Sequence, residues 1–117
     1  MKLVCIAGPY RAKSEFEVLQ NIRNAEALAI RVWRTGAAAC ICPHKNTAFL
    51  GGVADDEVWL AGAVEMVQRA DAVLCVEGWH RSVGASREVD AARSLRIPVF
   101  ERFEDLEQWL SQSSEDR

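Results

Sequence analysis

The 117-residue chain lacks the marks of several protein classes. No apolar run approaches the roughly 18 residues that a membrane-spanning helix needs. The opening MKLVCIAGPYR reaches a turn after one strand length and is too short for a signal peptide. A net charge of −3 leaves no basic excess of the kind that nucleic-acid-binding proteins carry. We therefore expect a cytoplasmic protein with neither a membrane nor a nucleic acid as partner.

Cysteine is present but not in a metal-binding arrangement. The four cysteines all lie inside apolar, strand-like runs, where a reduced thiol behaves as a small buried hydrophobe. They are Cys5, Cys40, Cys42 and Cys75. Cys40-x-Cys42 followed by His44 is a weak zinc pattern, because the second ligand pair of such sites is absent. We predict no metal and no other cofactor.

Short apolar runs alternate with stretches of helical periodicity. Strands are predicted over about 3–8, 37–43, 71–77 and 97–100, and helices over about 15–35, 55–70, 85–96 and 104–111. The pair Ser14-x-x-Glu17 is a capping box that opens the first helix, and Gly36 ends it. A long loop is predicted over 44–54.

This alternation predicts an α/β domain over residues 1–112, followed by a frayed polar tail over 113–117. The sheet is expected to be open, parallel and flavodoxin- or Rossmann-like, with four to five strands and helices on both faces. In such sheets ligands bind outside the carboxyl ends of the strands, near the point where the strand order reverses. Residues 8–11, 44–47 and 77–88 occupy such positions.

The first two loops offer weak signals. Gly8, Tyr10 and Arg11 follow a strand and precede a helix, so free N–H groups, the helix dipole and a guanidinium could hold a phosphate. The segment matches no Walker or dinucleotide fingerprint, and a structural turn is an equal alternative. In the second loop, a lone histidine such as His44 is more often a hydrogen-bonded structural group than a catalyst.

The third loop, GWHRSVGASREVD, is the most informative. Ser82 and Gly84 precede a helix and could form a second anion cradle. Glu88 is expected in the first helical turn, where the dipole favours its ionised form, and an ionised carboxylate facing a crevice suits a nucleophile. The alternative is a glutamate that merely stabilises the helix start. Trp79 is either a lid over an aromatic ligand or a packed side chain.

The order of these segments resembles one family. Over about residues 3–100 the chain resembles the nucleoside 2-deoxyribosyltransferase superfamily. The segments that carry the resemblance are AGPYR, PHKNT, AD-AVLCVEGW and S-x-G-x-x-x-E, together with Asn21 and Ala25 in the first helix. The resemblance implies that Glu88, four residues after Gly84, attacks the anomeric carbon of a 2′-deoxynucleoside. A covalent deoxyribosyl-enzyme then transfers the sugar to another base or to water, without a metal. It also implies a homodimer or larger homo-oligomer, whose surface Trp59 or Trp109 could mark unless either is core.

Within that superfamily, transferases acting on free nucleosides tend to carry an aspartate two residues before the loop glycine. The 2′-deoxynucleoside 5′-phosphate N-hydrolases carry a serine that contacts the phosphate, as Ser82 would here. GPYR also resembles their Gly-Ser-Ile-Arg phosphate loop at Gly8 and Arg11. The resemblance therefore implies hydrolysis of the N-glycosidic bond of a 2′-deoxynucleoside 5′-monophosphate. The residues expected to bind substrate are Gly8, Tyr10, Arg11, His44, Glu77, Trp79, Ser82 and Gly84.

One position departs from the family pattern. Family members commonly carry an active-site aspartate eight residues before the aspartate that opens the third strand, and that position here is Ala63. Without this second carboxylate, the proton for the leaving base would have to come from another group, for which Glu77 and His44 are the candidates. Two alternatives stay open: a nucleoside 2-deoxyribosyltransferase, and a non-catalytic nucleotide-binding or sensing module.

Overall fold

The structure, a computed structural model, describes residues 1–115. Its strands are β1 (Lys2–Ala7), β2 (Ala38–Ile41), β3 (Ala72–Cys75) and β4 (Val99–Phe100). Its helices are α1 (Glu15–Arg34), α2 (Pro43–Asn46), α3 (Asp56–Gln68), α4 (Val83–Ser94) and α5 (Phe103–Glu115), with a 3₁₀ turn at Trp79–Arg81. The tail predicted over 113–117 begins inside α5, and its last two residues lie outside the described part. No helix among the described residues is both long and apolar enough to cross a membrane.

The four strands form one parallel sheet in the order β2-β1-β3-β4. The predicted α/β open sheet is confirmed, at the lower end of the expected four to five strands. The chain leaves β1 toward β2 on one side, and later returns to place β3 on the other side of β1. The strand order therefore reverses between β1 and β3, and the carboxyl ends of these two strands are where a ligand crevice is expected.

Helices cover both faces of the sheet because the strands are apolar on both sides. Along β1, Val4 and Ile6 pack with α1 and α5, whereas Cys5 and Ala7 pack with α3 and α4. All four side chains are fully buried. Burying an aliphatic side chain such as Ile6 contributes about 1.5–3 kcal/mol to the free energy of unfolding. These continuous apolar strands are what make a two-layered covering necessary.

Local signals place most of the helix ends. Ser14 Oγ accepts a hydrogen bond from the Glu17 N–H at 3.1 Å, as the capping box predicts. Asp55 is the N-cap residue of α3. Gly36 has φ +67°, the left-handed backbone that favours glycine after a helix. At the amino end of β3, Asp71 Oδ2 accepts from the Leu3 N–H at 2.7 Å, which joins β3 to β1.

Several boundaries differ from the sequence prediction by a few residues, and two of these differences affect the candidate site. The loop predicted over 44–54 begins with the short helix α2, which places Pro43 at a first-turn position that needs no N–H donor. Helix α4 begins at Val83, two residues earlier than predicted, because Ser82 caps it. The second difference changes where Glu88 lies relative to the helix start.

Gly8 is predicted to be required by packing at the end of β1. A Cβ atom added to Gly8 would lie 2.5 Å from Val76 Cγ2 and 2.6 Å from Val76 Cβ. Val76 Cβ is attached to the backbone and cannot move away without shifting the chain that follows β3, so we expect Gly8→Ala to lower the free energy of unfolding by about 1–3 kcal/mol. Urea denaturation measures this. Gly51→Ala is the control, because no heavy atom lies within 4 Å of its added Cβ. Equal stability of the two variants would contradict the prediction.

Candidate active site

The candidate site lies at the carboxyl ends of β1 and β3. The two strands remain paired to their ends, where the Val76 N–H donates to the Ala7 carbonyl at 2.8 Å. Beyond this point the chain after β1 leads to α1 on one face of the sheet, and the chain after β3 leads to α4 on the other. In open parallel sheets a ligand crevice is expected where the connections diverge in this way.

Glu88 is the buried ionisable group of this region. It lies on α4 with 7% of its surface exposed, and its Oε2 atom has no hydrogen-bond partner among the described residues. Its helix packs against Cys5 of β1 and Cys75 of β3 through Ala85, Val89 and Ala92. Burial raises the pKa of Glu88 to about 8. A buried carboxyl group with an unpaired oxygen is costly for folding, and such groups concentrate at functional sites.

The expectation that the helix dipole keeps Glu88 ionised is wrong. Because α4 begins at Val83, Glu88 lies in the second turn. The macrodipole acts within the first turn, so removal of the carboxyl group from water dominates and favours its neutral form.

The loop after β1 holds the predicted Gly8, Tyr10 and Arg11. The Tyr10 carbonyl accepts from Asn21 Nδ2 at 3.0 Å, which ties the loop to α1. Arg11 is exposed and forms an ion pair with Asp56 at the start of α3. The guanidinium therefore lies at the carboxyl end of the sheet and is paired with a carboxylate.

His44 packs against the same loop. It is buried on α2, its Nε2 lies 2.9 Å from the Pro9 carbonyl, and its ring centroid lies 5.7 Å from that of Tyr10. Because a carbonyl only accepts, Nε2 must carry the proton and Nδ1 is left as an acceptor, with no partner among the described residues. Burial lowers the pKa of His44, so the ring is neutral. In this form His44 accepts a hydrogen bond at Nδ1 and does not supply a proton there.

Ser82 and Gly84 form the amino end of α4. Ser82 is the N-cap, and its Oγ accepts from the Ala85 N–H at 3.1 Å. The hydroxyl proton remains available to a ligand, because a serine hydroxyl donates once as well as accepting. A Cβ on Gly84 would lie 2.9 Å from Leu60 Cδ2, so glycine allows the start of α4 to approach α3 closely.

Trp79 occupies the packed position, one of its two predicted alternatives. The side chain is buried, its Nε1 donates to Glu101 Oε1 at 3.0 Å, and its ring stacks on His80 with centroids 3.8 Å apart. Contact between Trp79 and a bound base stays a prediction. Glu101 was missed by the sequence analysis, although it directly follows β4 and so meets the rule that selected the other loops.

An open cavity of about 440 Å³ lies at the carboxyl ends of β3 and β4. Its lining residues are Val76, Glu77, Gly78, Trp79, His80, Arg81, Glu101 and Arg102. The predicted Glu77 and Trp79 thus share a cavity, whereas Glu88 lies on its helix outside the lining. The structure therefore does not gather all the predicted residues around one cavity.

The remaining predicted positions are described briefly. Ala63 lies in α3, partly buried, and brings no carboxylate to the site. Trp59 and Trp109 are also partly buried, and the Trp109 ring packs on Phe100 with centroids 5.7 Å apart. Within residues 1–115 no three His, Cys, Asp or Glu side chains are grouped closely enough to hold a metal ion.

The comparisons with known proteins agree with this architecture. Residues 6–101 match the family described as "Domain of unknown function (DUF4406)", and the chain belongs to that family. No curated protein matches the chain. Among solved structures, the chain is similar to a 2-deoxyribosyltransferase from Bacillus psychrosaccharolyticus, with a TM-score of 0.58 and 19% sequence identity. The similarity covers 83% of this chain and 69% of that one, and at this identity it establishes the fold.

Proposed function

We propose that the protein cleaves the N-glycosidic bond of a nucleoside or nucleotide, with Glu88 as the nucleophile. The observation that carries this proposal is the buried Glu88 carboxyl group, with its unpaired Oε2, on the helix that follows the strand-order reversal. The shared fold with a 2-deoxyribosyltransferase supports the same class of reaction.

In the proposed reaction the Glu88 carboxylate attacks the anomeric carbon of the sugar. The bond from that carbon to the base breaks, its electron pair leaves with the base, and the base takes up a proton. Water then attacks the same carbon, the bond from that carbon to Glu88 breaks, and the carboxylate is released. The sugar keeps the hydroxyl group of the water, and the other water proton replaces the one taken up by the base. This is the two-displacement logic of retaining glycosidases, with an oxocarbenium-like transition state in each step.

The finer proposal is that the substrate is a 2′-deoxynucleoside 5′-monophosphate. Ser82 can donate its hydroxyl proton to a phosphate while it caps α4, and the free N–H groups at that helix end favour an anion. Arg11, on the loop after β1, supplies a cation that matches a phosphate in charge and geometry.

The reaction also requires a group that donates a proton to the leaving base. Ala63 offers no carboxylate, and His44 is neutral with its proton on the nitrogen that faces Pro9. Glu77, exposed at the end of β3, is the remaining candidate. A non-catalytic nucleotide-binding module is therefore the second candidate function, since Ala63 and the raised pKa of Glu88 both disfavour rapid turnover.

The experiment that separates these functions is chromatographic detection of free base from the four common 2′-deoxynucleoside 5′-monophosphates. A parallel series contains a second free base as acceptor. Release of base without exchange supports the hydrolase, and exchange faster than release supports a transferase. Calorimetric binding without release or exchange supports the binding module and contradicts the proposed catalysis.

Ser82→Asp is expected to reduce the preference for the phosphorylated substrate. Aspartate caps a helix as well as serine does, but its negative charge repels a phosphate that carries about −1.5 to −2 charges. We expect the ratio of kcat/KM for the 5′-monophosphate to kcat/KM for the free nucleoside to fall at least about tenfold.

Ser82→Asn is the matched control, because asparagine caps equally well and carries no charge. It should lower the same ratio much less than Ser82→Asp does. An unchanged ratio in Ser82→Asp would remove the support for the phosphate-specific reaction and leave the free nucleoside as the substrate class.

A further inference from the structure

Two carboxylates in the first turn of α3 pair with arginines from two other segments of the chain. Asp56 forms an ion pair with Arg11, from the loop between β1 and α1. The next residue, Glu57, accepts from Arg87 Nη2 of α4 at 3.0 Å through its Oε1. The start of α3 thus neutralises two cations close to the candidate site, and one of them is the arginine proposed to bind phosphate.

The Arg11–Asp56 pair spans the edge of the sheet where the crevice opens. Arg11 precedes α1, which covers one face of the sheet, whereas Asp56 begins α3, which covers the opposite face. Arg11 follows the carboxyl end of β1, and Asp56 follows the connection from the carboxyl end of β2, so the two side chains meet at that end of the sheet. A ligand bound at the carboxyl ends of the strands would lie on the same side of the sheet as this ion pair.

The pair is weak enough for a ligand to break. The Arg11 and Asp56 side chains are 61% and 67% exposed, and exposed ion pairs of this kind contribute little because water screens them. A phosphate carries more charge than a carboxylate and offers three acceptor oxygens to the guanidinium. A phosphate can therefore compete with Asp56 for Arg11, whereas an uncharged group has no charge with which to compete.

We propose that Asp56 is a specificity-determining residue that acts through Arg11. Its carboxylate pairs with the guanidinium and competes with the 5′-phosphate of an entering nucleotide. This inference rests on the proposed nucleotide substrate, but it concerns binding and does not depend on bond cleavage. By this competition Asp56 lowers the affinity that Arg11 provides for the phosphate.

The test is calorimetric binding of the four 2′-deoxynucleoside 5′-monophosphates and of the corresponding nucleosides, at fixed ionic strength. Asp56→Asn should bind at least one monophosphate about two- to fivefold more tightly than the wild type, and it should bind the nucleosides unchanged. Asp55→Asn is the matched control: it removes the same charge one residue away, from an N-cap that makes no side-chain capping hydrogen bond. Its gain should be smaller.

The double variant Arg11→Gln/Asp56→Asn separates competition for Arg11 from general repulsion. In the Arg11→Gln background, the added Asp56→Asn change should no longer improve monophosphate binding. The gain from Asp56→Asn should also shrink at high salt, since it is electrostatic.

Three results would overturn the inference. They are an equal gain in Asp55→Asn, a gain that survives in the Arg11→Gln background, and a failure of Asp56→Asn to bind any of the monophosphates. Absence of base release alongside the expected binding differences would instead contradict the proposed catalysis and leave the role of Asp56 intact.

Discussion

Glu88→Gln is expected to reduce base release at least about 10³-fold. Glutamine has nearly the same shape as glutamate, so the packing of α4 on β1 and β3 should be preserved. Its amide cannot form the glycosyl ester on which the proposed reaction depends. The measurement is kcat/KM for base release, with circular dichroism to confirm that the variant is folded.

Asp90→Asn is the control for this loss. Asp90 lies on the same helix two residues away and is exposed, so Asp90→Asn makes the same carboxyl-to-amide change outside the buried site. Its kcat/KM should stay close to that of the wild type. A Glu88→Gln protein that keeps more than a tenth of the wild-type rate would show that another group is the nucleophile.

The second large expected effect is on stability and its dependence on pH. In the folded protein burial raises the pKa of Glu88 from an ordinary value of 4.5 to about 8. Between these two pH values the unfolded chain has ionised this group while the folded protein still holds the proton. The unfolded state then binds fewer protons, so the free energy of unfolding falls as pH rises, by about 1.4 kcal/mol per pH unit from this group.

Glu88→Gln should remove this dependence, because glutamine does not titrate. We expect the stability of the variant relative to the wild type to increase from pH 5 to pH 8 by a few kcal/mol and then to level off. Urea denaturation at unit steps of pH measures the difference. Subtracting the two proteins cancels the contributions of groups that titrate independently of Glu88. A difference that is constant over this range would contradict the burial of an unpaired carboxyl group.

Glu88→Gln is thus expected to lose activity and to gain stability near neutral pH. A carboxyl group that destabilises the protein near neutral pH and has an unpaired oxygen is poorly explained by packing alone. Proteins retain such groups where activity requires them, and their replacement commonly stabilises the fold while activity is lost.

Most of the fold could be predicted from the sequence because its signals are local. Continuous apolar runs specify strands buried on both faces, and the Ser14–Glu17 capping box lies within one helical turn. The parallel order of the strands follows from the alternation of strands and helices together with right-handed crossovers.

The ionisation and pairing of the site residues could not be predicted, because they depend on distant partners. Glu88 is neutralised by its burial against strands far away in the chain, and a two-residue error in the start of α4 reversed the expected effect on its pKa. His44 Nε2 bonds to a carbonyl 35 residues earlier, and Trp79 bonds to a carboxylate 22 residues later. No local pattern encodes such pairs.

The positions of the site loops could be predicted in part. The rule that ligands bind at the carboxyl ends of strands selected the loops after β1, β2 and β3 without any motif. Applied to β4, the same rule would also have found Glu101. Asp56 lies at the start of a helix, so only the structure shows that it reaches Arg11.

The most direct test of Glu88 as nucleophile is mass spectrometry of the protein quenched in acid during turnover of a 2′-deoxynucleoside 5′-monophosphate. We expect a deoxyribose 5-phosphate adduct on the peptide that contains Glu88, formed together with free base and absent from Glu88→Gln. Base release with an adduct on a different residue, or an adduct that persists in Glu88→Gln, would contradict the assignment.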